Sequence, residues 1–270
     1  MKRKRKPPSL FTLFLRSLPP ALIFVISFPL AAQENPEARK LYQEGNRKFN
    51  DGLFEDAVRK YDQALGIERH YAIYYQRGLA LRKAERHAAS LESFREAVSL
   101  HRDFALGWYG MATAFAVLGR HDSAVSAYEK ALALDPRLEP ARKGLTAART
   151  MQALALIDSG DARSAAETAR KACGADSTFP QAHLVLARAL GRLGDVEGSV
   201  REAEYVIRNH PAFARDAWYE LGLTYEAAGD LEGAARAFTE ALNSPRVGEN
   251  ANRRLRRIDS LRNTPKRESE

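Results

Sequence analysis

The chain has 270 residues, of which 45% are hydrophobic and 28% charged, with 17 Gly and 12 Pro. That balance is ordinary for a globular protein and excludes wholesale disorder, a collagen-like rod and a multi-span membrane protein. A single cysteine, Cys173, excludes any intrachain disulfide and any cysteine-based metal cluster. The net charge of +8 is unevenly spread. Residues 1–32 hold six bases and no acid, so residues 33–270 carry 36 bases against 34 acids. Residues 249–270 hold seven bases and four acids, which leaves the body between at −1. No clustered basic face follows from such a balance, and nucleic acid is not among the implied partners.

The first 32 residues run from a basic block, Lys2 to Lys6, through an apolar block to small residues at Ala31 and Ala32. This is the order of a secretory signal peptide. The cleanest apolar run, Ala21 to Ala32, has 12 residues. As a helix it would reach about 18 Å, against a bilayer core of about 30 Å. Two leading readings follow: a cleaved signal over 1–32, or a retained N-terminal anchor over 10–32 that contacts the membrane. A buried core helix is the third. Either leading reading sends the remainder across a membrane, to a periplasmic or cell-envelope location.

From residue 38 onward the chain compares with itself. Gly45, Gly78, Ala112, Ala153, Ala187 and Gly222 align at intervals of 33, 34, 41, 34 and 35 residues. Around each lies an apolar helical stretch, a short Gly/Asp turn and a second apolar helix. A second small set, Ala57, Ser90, Ala124, Ala165, Ser199 and Ala234, falls in the second helices. Small residues on both sides let two helices cross closely. Tyr61, Phe94, Tyr128 and Phe238 from second helices, with Trp108 and Trp218 from first helices, supply the bulk between. Gly52, Gly119, Gly160, Gly194 and Gly229 punctuate five turns. Glu85 stands in that place in the second unit, which predicts a differently built turn.

The fullest unit reads Trp218, Leu221, Gly222, Tyr225, Ala234, Phe238 and Ala241; Trp108, Met111, Ala112, Phe115, Ala124, Tyr128, Ala131 and Pro136 form another. This pattern resembles the tetratricopeptide repeat family, of bacterial exported type given the first 32 residues, over roughly 38–248. The resemblance implies an all-α, right-handed superhelical solenoid of six helix-turn-helix repeats. Repeats one to three span 38–138 and repeats four to six span 139–248. Units four and five depart from the pattern: Arg149 and His183 replace the bulky anchor, and Ala169 and Ala203 replace the second-helix aromatic. The longer interval between Ala112 and Ala153 predicts a first helix running from Pro140 to about Asp158, extended by roughly two turns. Residues 249–263, with Leu255, Ile258 and Leu261 as an apolar stripe, predict a capping helix, because the last repeat has no neighbour to cover it. Residues 264–270 read as a disordered tail.

Motifs for chemistry are missing: no phosphate loop, HExxH, GxSxG or EF-hand sequence occurs. The six histidines show no metal-ligand spacing, Cys173 reads as a buried inert thiol, and Glu226 and Asp230 read as solvated helix-end acids. No catalytic residue, metal ligand or cofactor is implied. What remains is recognition. In a stacked hairpin array the first helices line a concave surface suited to an extended peptide or partner helix. Projection from the small residues gives the groove-facing set Tyr42, Asn46, Phe49, Tyr75, Arg82, Tyr109, Arg188, Arg192, Tyr219 and Glu226. The four tyrosines hold one register position, either as contact residues of the groove or as packing between repeats. Some family members grip a C-terminal carboxylate with a lysine, asparagine and arginine clamp. Asn46 fits one clamp place, but Tyr42 and Tyr75 stand where lysine and asparagine belong. Arg188 and Arg192, one turn apart, point to an acidic partner. The family resemblance implies a non-enzymatic scaffold or adaptor whose partner is a protein or peptide. The alternative is a membrane-tethered spacer or oligomerisation component, with the arginines of the cap at a lipid surface or simply solvated.

Overall fold

The computed structural model describes residues 35–263; the segment read as signal peptide or anchor and the tail of 264–270 lie outside the described residues. Thirteen α-helices among them form six hairpins and a final single helix. The hairpins are α1 (Pro36–Asn50) with α2 (Phe54–Ile67), α3 (Tyr71–Lys83) with α4 (His87–Leu100), and α5 (Ala105–Val117) with α6 (His121–Leu134). Then come α7 (Glu139–Asp158) with α8 (Ala162–Ala175), α9 (Pro180–Arg192) with α10 (Val196–Asn209), and α11 (Ala214–Ala227) with α12 (Leu231–Ala241). A 3-10 turn, Pro211–Phe213, precedes α11, and α13 (Gly248–Asn263) closes the array. The hairpins stack as a right-handed superhelical solenoid without strands among the described residues. None of the described helices is long and apolar enough to cross a membrane.

Local chemistry sets the helix ends. Asn35 caps α1 by accepting from the N–H groups of Glu37 and Ala38, with Pro36 in the first turn. Asp161, Asp195 and Asp230 cap α8, α10 and α12 in the same way. Pro140 lies in the first turn of α7, whose 20 residues exceed the 13 of α5 by the predicted two turns.

In three hairpins the second-helix ring lies close against the glycine of the first helix. A Cβ placed on Gly45 would stand 2.6 Å from the Tyr61 ring, one on Gly78 2.7 Å from Phe94, and one on Gly222 2.5 Å from Phe238. Tyr61, Phe94 and Phe238 are fully buried as a result. Every member of the second small set, from Ala57 to Ala234, is buried as well. The cap helix docks through Ala251 and Ile258, while Leu261, expected in the apolar stripe, remains 51% exposed. Its approach is fixed by a polar knot in the preceding turn. The Arg246 guanidinium pairs with the buried Asp216 carboxylate, lies 4.4 Å over the Phe213 ring and donates to the Ala212 carbonyl at 2.9 Å.

The second turn corrects the sequence reading. Glu85 adopts φ = +59°, the left-handed conformation that Gly52, Gly119, Gly160, Gly194 and Gly229 take in the other turns. The backbone closes identically too: Arg86 N–H donates to the Leu81 carbonyl at 2.8 Å, as Arg120 N–H does to Phe115 at 2.9 Å. The turn geometry is common to all six hairpins, and Glu85 tolerates a strain that glycine avoids. Glu85→Gly is therefore expected to stabilise the N-terminal repeats by about 0.5–1 kcal/mol, the strain relieved less the added freedom of the unfolded chain. A higher urea midpoint, followed by circular dichroism, checks it.

Candidate functional site

The first helices touch one another along the array while the second helices are held apart, so α1, α3, α5, α7, α9 and α11 line the inner face. The ten residues projected onto that face fall into two regions.

The N-terminal region is largely occupied by its own packing. Tyr42 and Tyr75 are 4% and 7% exposed, so their rings serve the contact between helices. Tyr42 lies against Tyr61 with ring centroids 6.0 Å apart, and Tyr75 meets Phe104 edge-on at 5.0 Å. Burial pushes the Tyr75 phenol up to about 12. Tyr61 donates its hydroxyl to Asn46 Oδ1 at 2.7 Å, which commits the one residue that matched the carboxylate clamp. Phe49 packs edge-on against Phe54 at 5.5 Å. Tyr109 is half-buried against Tyr128, and burial raises its phenol while Arg82 beside it pulls the other way. Arg82 also reaches Thr113 Oγ1 at 3.5 Å.

In the C-terminal region, Arg188, Arg192, Tyr219 and Glu226 come together on one groove of about 800 Å³. Sequence reasoning missed the other half of its charge: Glu220, Arg254 and Arg257. Arg188 holds Glu220 with both arms of its guanidinium, Nε donating to Oε2 at 2.9 Å and Nη2 to Oε1. The two residues stand 32 apart in sequence on α9 and α11. Arg192 donates to the Ile157 carbonyl at the end of α7, 2.6 Å away, and pairs with no carboxylate among the described residues. Glu226, read as a solvated acid, is instead paired with Arg254 at 3.0 Å and lies 3.8 Å from Arg257. Asp230, read likewise, caps α12. The arginines of the cap helix thus form a wall of the groove, together with Leu261, Val247 and Leu231. No spacing rule links Glu226 to a residue on a separate helix, so this pairing had no sequence signal.

A third grouping lies away from the groove. Cys173 is half-buried rather than buried, and α8, α9 and α10 bring it together with His183 and Glu202.

A stack of helical hairpins with an inner groove and a polar end cap is a helical repeat scaffold. The chain belongs to the tetratricopeptide repeat family: the family profile matches residues 42–103, 75–139, 150–203 and 184–250. It is 35% identical over 106 residues to the Hsp70-Hsp90 organizing protein of Triticum aestivum, covering 39% of this chain and 18% of that protein. It is 32% identical over 101 residues to serine/threonine-protein phosphatase T of Trypanosoma brucei brucei, covering 37% of this chain and 21% of that protein. The chain thus spans about a fifth of these relatives. The crystal structure of YrrB, described as a tetratricopeptide protein with an unusual peptide-binding site, superposes with a TM-score of 0.54 at 17% identity. That match covers 72% of this chain and 97% of YrrB, and it establishes the fold.

The Arg188–Glu220 pair is the most buried charge contact of the groove, with the Glu220 side chain only 4% exposed. Removing one partner leaves the other uncompensated. Arg188→Ala is expected to cost about 3 kcal/mol, whereas Arg188→Met combined with Glu220→Leu should cost under ~1 kcal/mol. Urea unfolding of the two variants measures the difference.

Proposed function

We propose that this chain is a non-enzymatic protein-interaction scaffold that takes an acidic, partly apolar peptide segment in the C-terminal groove. The observation that carries the reading is the charge of that groove. Arg188, Arg192, Arg254 and Arg257 face Glu220 and Glu226, which leaves two guanidinium charges in excess. Glu220 neutralises Arg188, and Glu226 serves Arg254 and Arg257 together, so the excess falls at Arg192 and on the cap. Leu223, Leu231, Val247 and Leu261 supply apolar wall between the charges. An extended segment that alternates Asp or Glu with apolar side chains fits both features, because guanidinium groups hold carboxylates in two-armed geometry.

The relatives support interaction work in general, since the similarity lies in their repeats. Chaperone tails do not follow from it, because Tyr42 and Tyr75 stand at clamp places and Asn46 is already bonded to Tyr61. The basic, apolar and small order of residues 2–32 supports a cell-envelope location for this work, by export or by an N-terminal anchor.

Fluorescence polarisation with ten-residue peptides alternating acidic and apolar residues tests the reading, with their Lys-for-Glu counterparts as controls. Binding should favour the acidic peptides and weaken as salt rises. Arg254→Ala with Arg257→Ala removes exposed parts of the cap and should weaken binding at least tenfold, about 1.4 kcal/mol. Equal binding of acidic and basic peptides, or no effect of the double variant, would defeat the proposal.

A further inference from the structure

Where repeat four meets repeat five, three side chains of different ligand chemistry converge. Cys173 lies near the end of α8, His183 in the first turn of α9 and Glu202 in the middle of α10. The Cys173 sulfur, a His183 ring nitrogen and a Glu202 carboxylate oxygen all lie within 4.8 Å of one another. His183 is 8% exposed, and the other two are half-buried at the edge of the solenoid. One cysteine rules out a site built on several cysteines, but not a mixed set such as this.

The imidazole is held in one orientation. Its Nε2 lies 3.0 Å from the Ser177 carbonyl oxygen, which can only accept, so Nε2 carries a hydrogen. Tyr205 donates its hydroxyl to the same carbonyl at 2.8 Å and lies against the imidazole with ring centroids 4.3 Å apart. Nδ1 is thereby turned toward Glu202 Oε2, 2.7 Å away. Histidines that bind metals are commonly fixed in this manner, with one N–H on a backbone carbonyl and the other nitrogen facing the remaining ligands.

We propose that Cys173, Nδ1 of His183 and Glu202 form a three-ligand site for a zinc-like divalent cation, with water in the fourth place. Thiolate, imidazole and carboxylate together suit Zn²⁺ and its borderline neighbours, whereas Mg²⁺ and Ca²⁺ prefer oxygen alone. Around a tetrahedral Zn²⁺ such ligand atoms stand roughly 3.3–3.6 Å apart, given bond lengths of about 2.0–2.3 Å. The His183–Glu202 pair must therefore open slightly and the sulfur move in, both shifts within the reach of side-chain rotation. The site occupies a junction that otherwise lacks bulk. Ala169 and Ala203 replace the second-helix rings here, and His183 itself stands where Trp108 and Trp218 anchor their repeats. A cation bound by all three helices clips the two degenerate repeats together.

The test uses the full chain, stripped with a chelator and titrated with Co²⁺ and then Zn²⁺. One Co²⁺ per chain should bind with a thiolate-to-metal charge-transfer absorption, be displaced by Zn²⁺, and be untouched by Mg²⁺. Zn²⁺ should also raise the thermal midpoint, since binding favours the folded state. Cys173→Ser should abolish the charge-transfer absorption and weaken Zn²⁺ binding about 100-fold or more, and Glu202→Gln should weaken it at least tenfold. Co²⁺ bound by the parent without the sulfur absorption overturns the site, and this spectrum decides even if a variant fails to fold. Equal Zn²⁺ affinity in the parent and in a Cys173→Ser chain with parental circular dichroism also overturns it, as binding would then lie at surface histidines.

Discussion

The close crossing of three of the helical pairs depends on a ring lying against a position that has no room for a larger side chain. Tyr61 on Gly45, Phe94 on Gly78 and Phe238 on Gly222 repeat this contact. It draws each first helix to its partner so tightly that Ala57, Ser90 and Ala234 are buried on the opposite side of the crossing. A single hairpin so built still exposes one broad face, because two short helices cannot enclose a core. Successive hairpins cover that face for one another. Phe94 illustrates the link: it fills the space beside Gly78 in its own hairpin and also meets Gly110 of the next, where a Cβ would stand 2.6 Å from its ring. One aromatic side chain therefore fixes both the crossing within a repeat and the stacking between repeats.

That dependence explains what happens where the aromatics are missing. Ala169 and Ala203 leave repeats four and five short of bulk, and polar contacts take over the same junctions. Arg149, at an anchor position, bridges Glu129 on α6 at 2.6 Å and the Lys171 carbonyl on α8. Ser199 and Thr224 hydrogen-bond across α10 and α11 at 2.7 Å, both buried. Arg188 crosses to Glu220, and His183 crosses to Glu202. Polar contacts need more exact geometry than apolar packing and are costly when incomplete. A junction assembled from them is more specific in its arrangement and more open to outside ligands. The groove and the Cys173 cluster both fall at these junctions or beside them.

The period, the helical hairpins, both small sets and the lengthened α7 were legible in the sequence, because each rests on residue type at fixed spacing. Gly45 and Tyr61 signal their contact whatever the remainder of the chain does. The turn at Glu85 was not, since a residue adopting φ = +59° against its preference is carried by the Leu81–Arg86 closure around it. The groove was half legible. Helical projection placed Arg188, Arg192, Tyr219 and Glu226 on the inner face, but could not show Glu220 beneath Arg188 or the cap arginines beside Glu226. Nor could it separate a tyrosine that faces the groove from one that closes a crossing. Tyr42 and Tyr75 occupy inner-face register and are buried, because the aromatic of the second helix and, for Tyr75, Phe104 draw their rings inward.

The end cap shows why an array of this kind can acquire a binding surface without changing its repeats. The last helix hides the apolar face of repeat six through Ala251 and Ile258, with Leu255 packed beside them. Positions outside that contact carry Arg253, Arg254, Arg256 and Arg257. Because Asp216 and Arg246 fix the angle at which the helix leaves repeat six, two of those arginines reach the inner face and meet Glu226. Shifting α13 by one residue would turn this pair by about 100° around the helix and out of the groove. The share of the groove's positive excess that lies on the cap is thus set by one buried carboxylate, Asp216, holding the turn that aims the cap, while Arg192 on α9 supplies the rest.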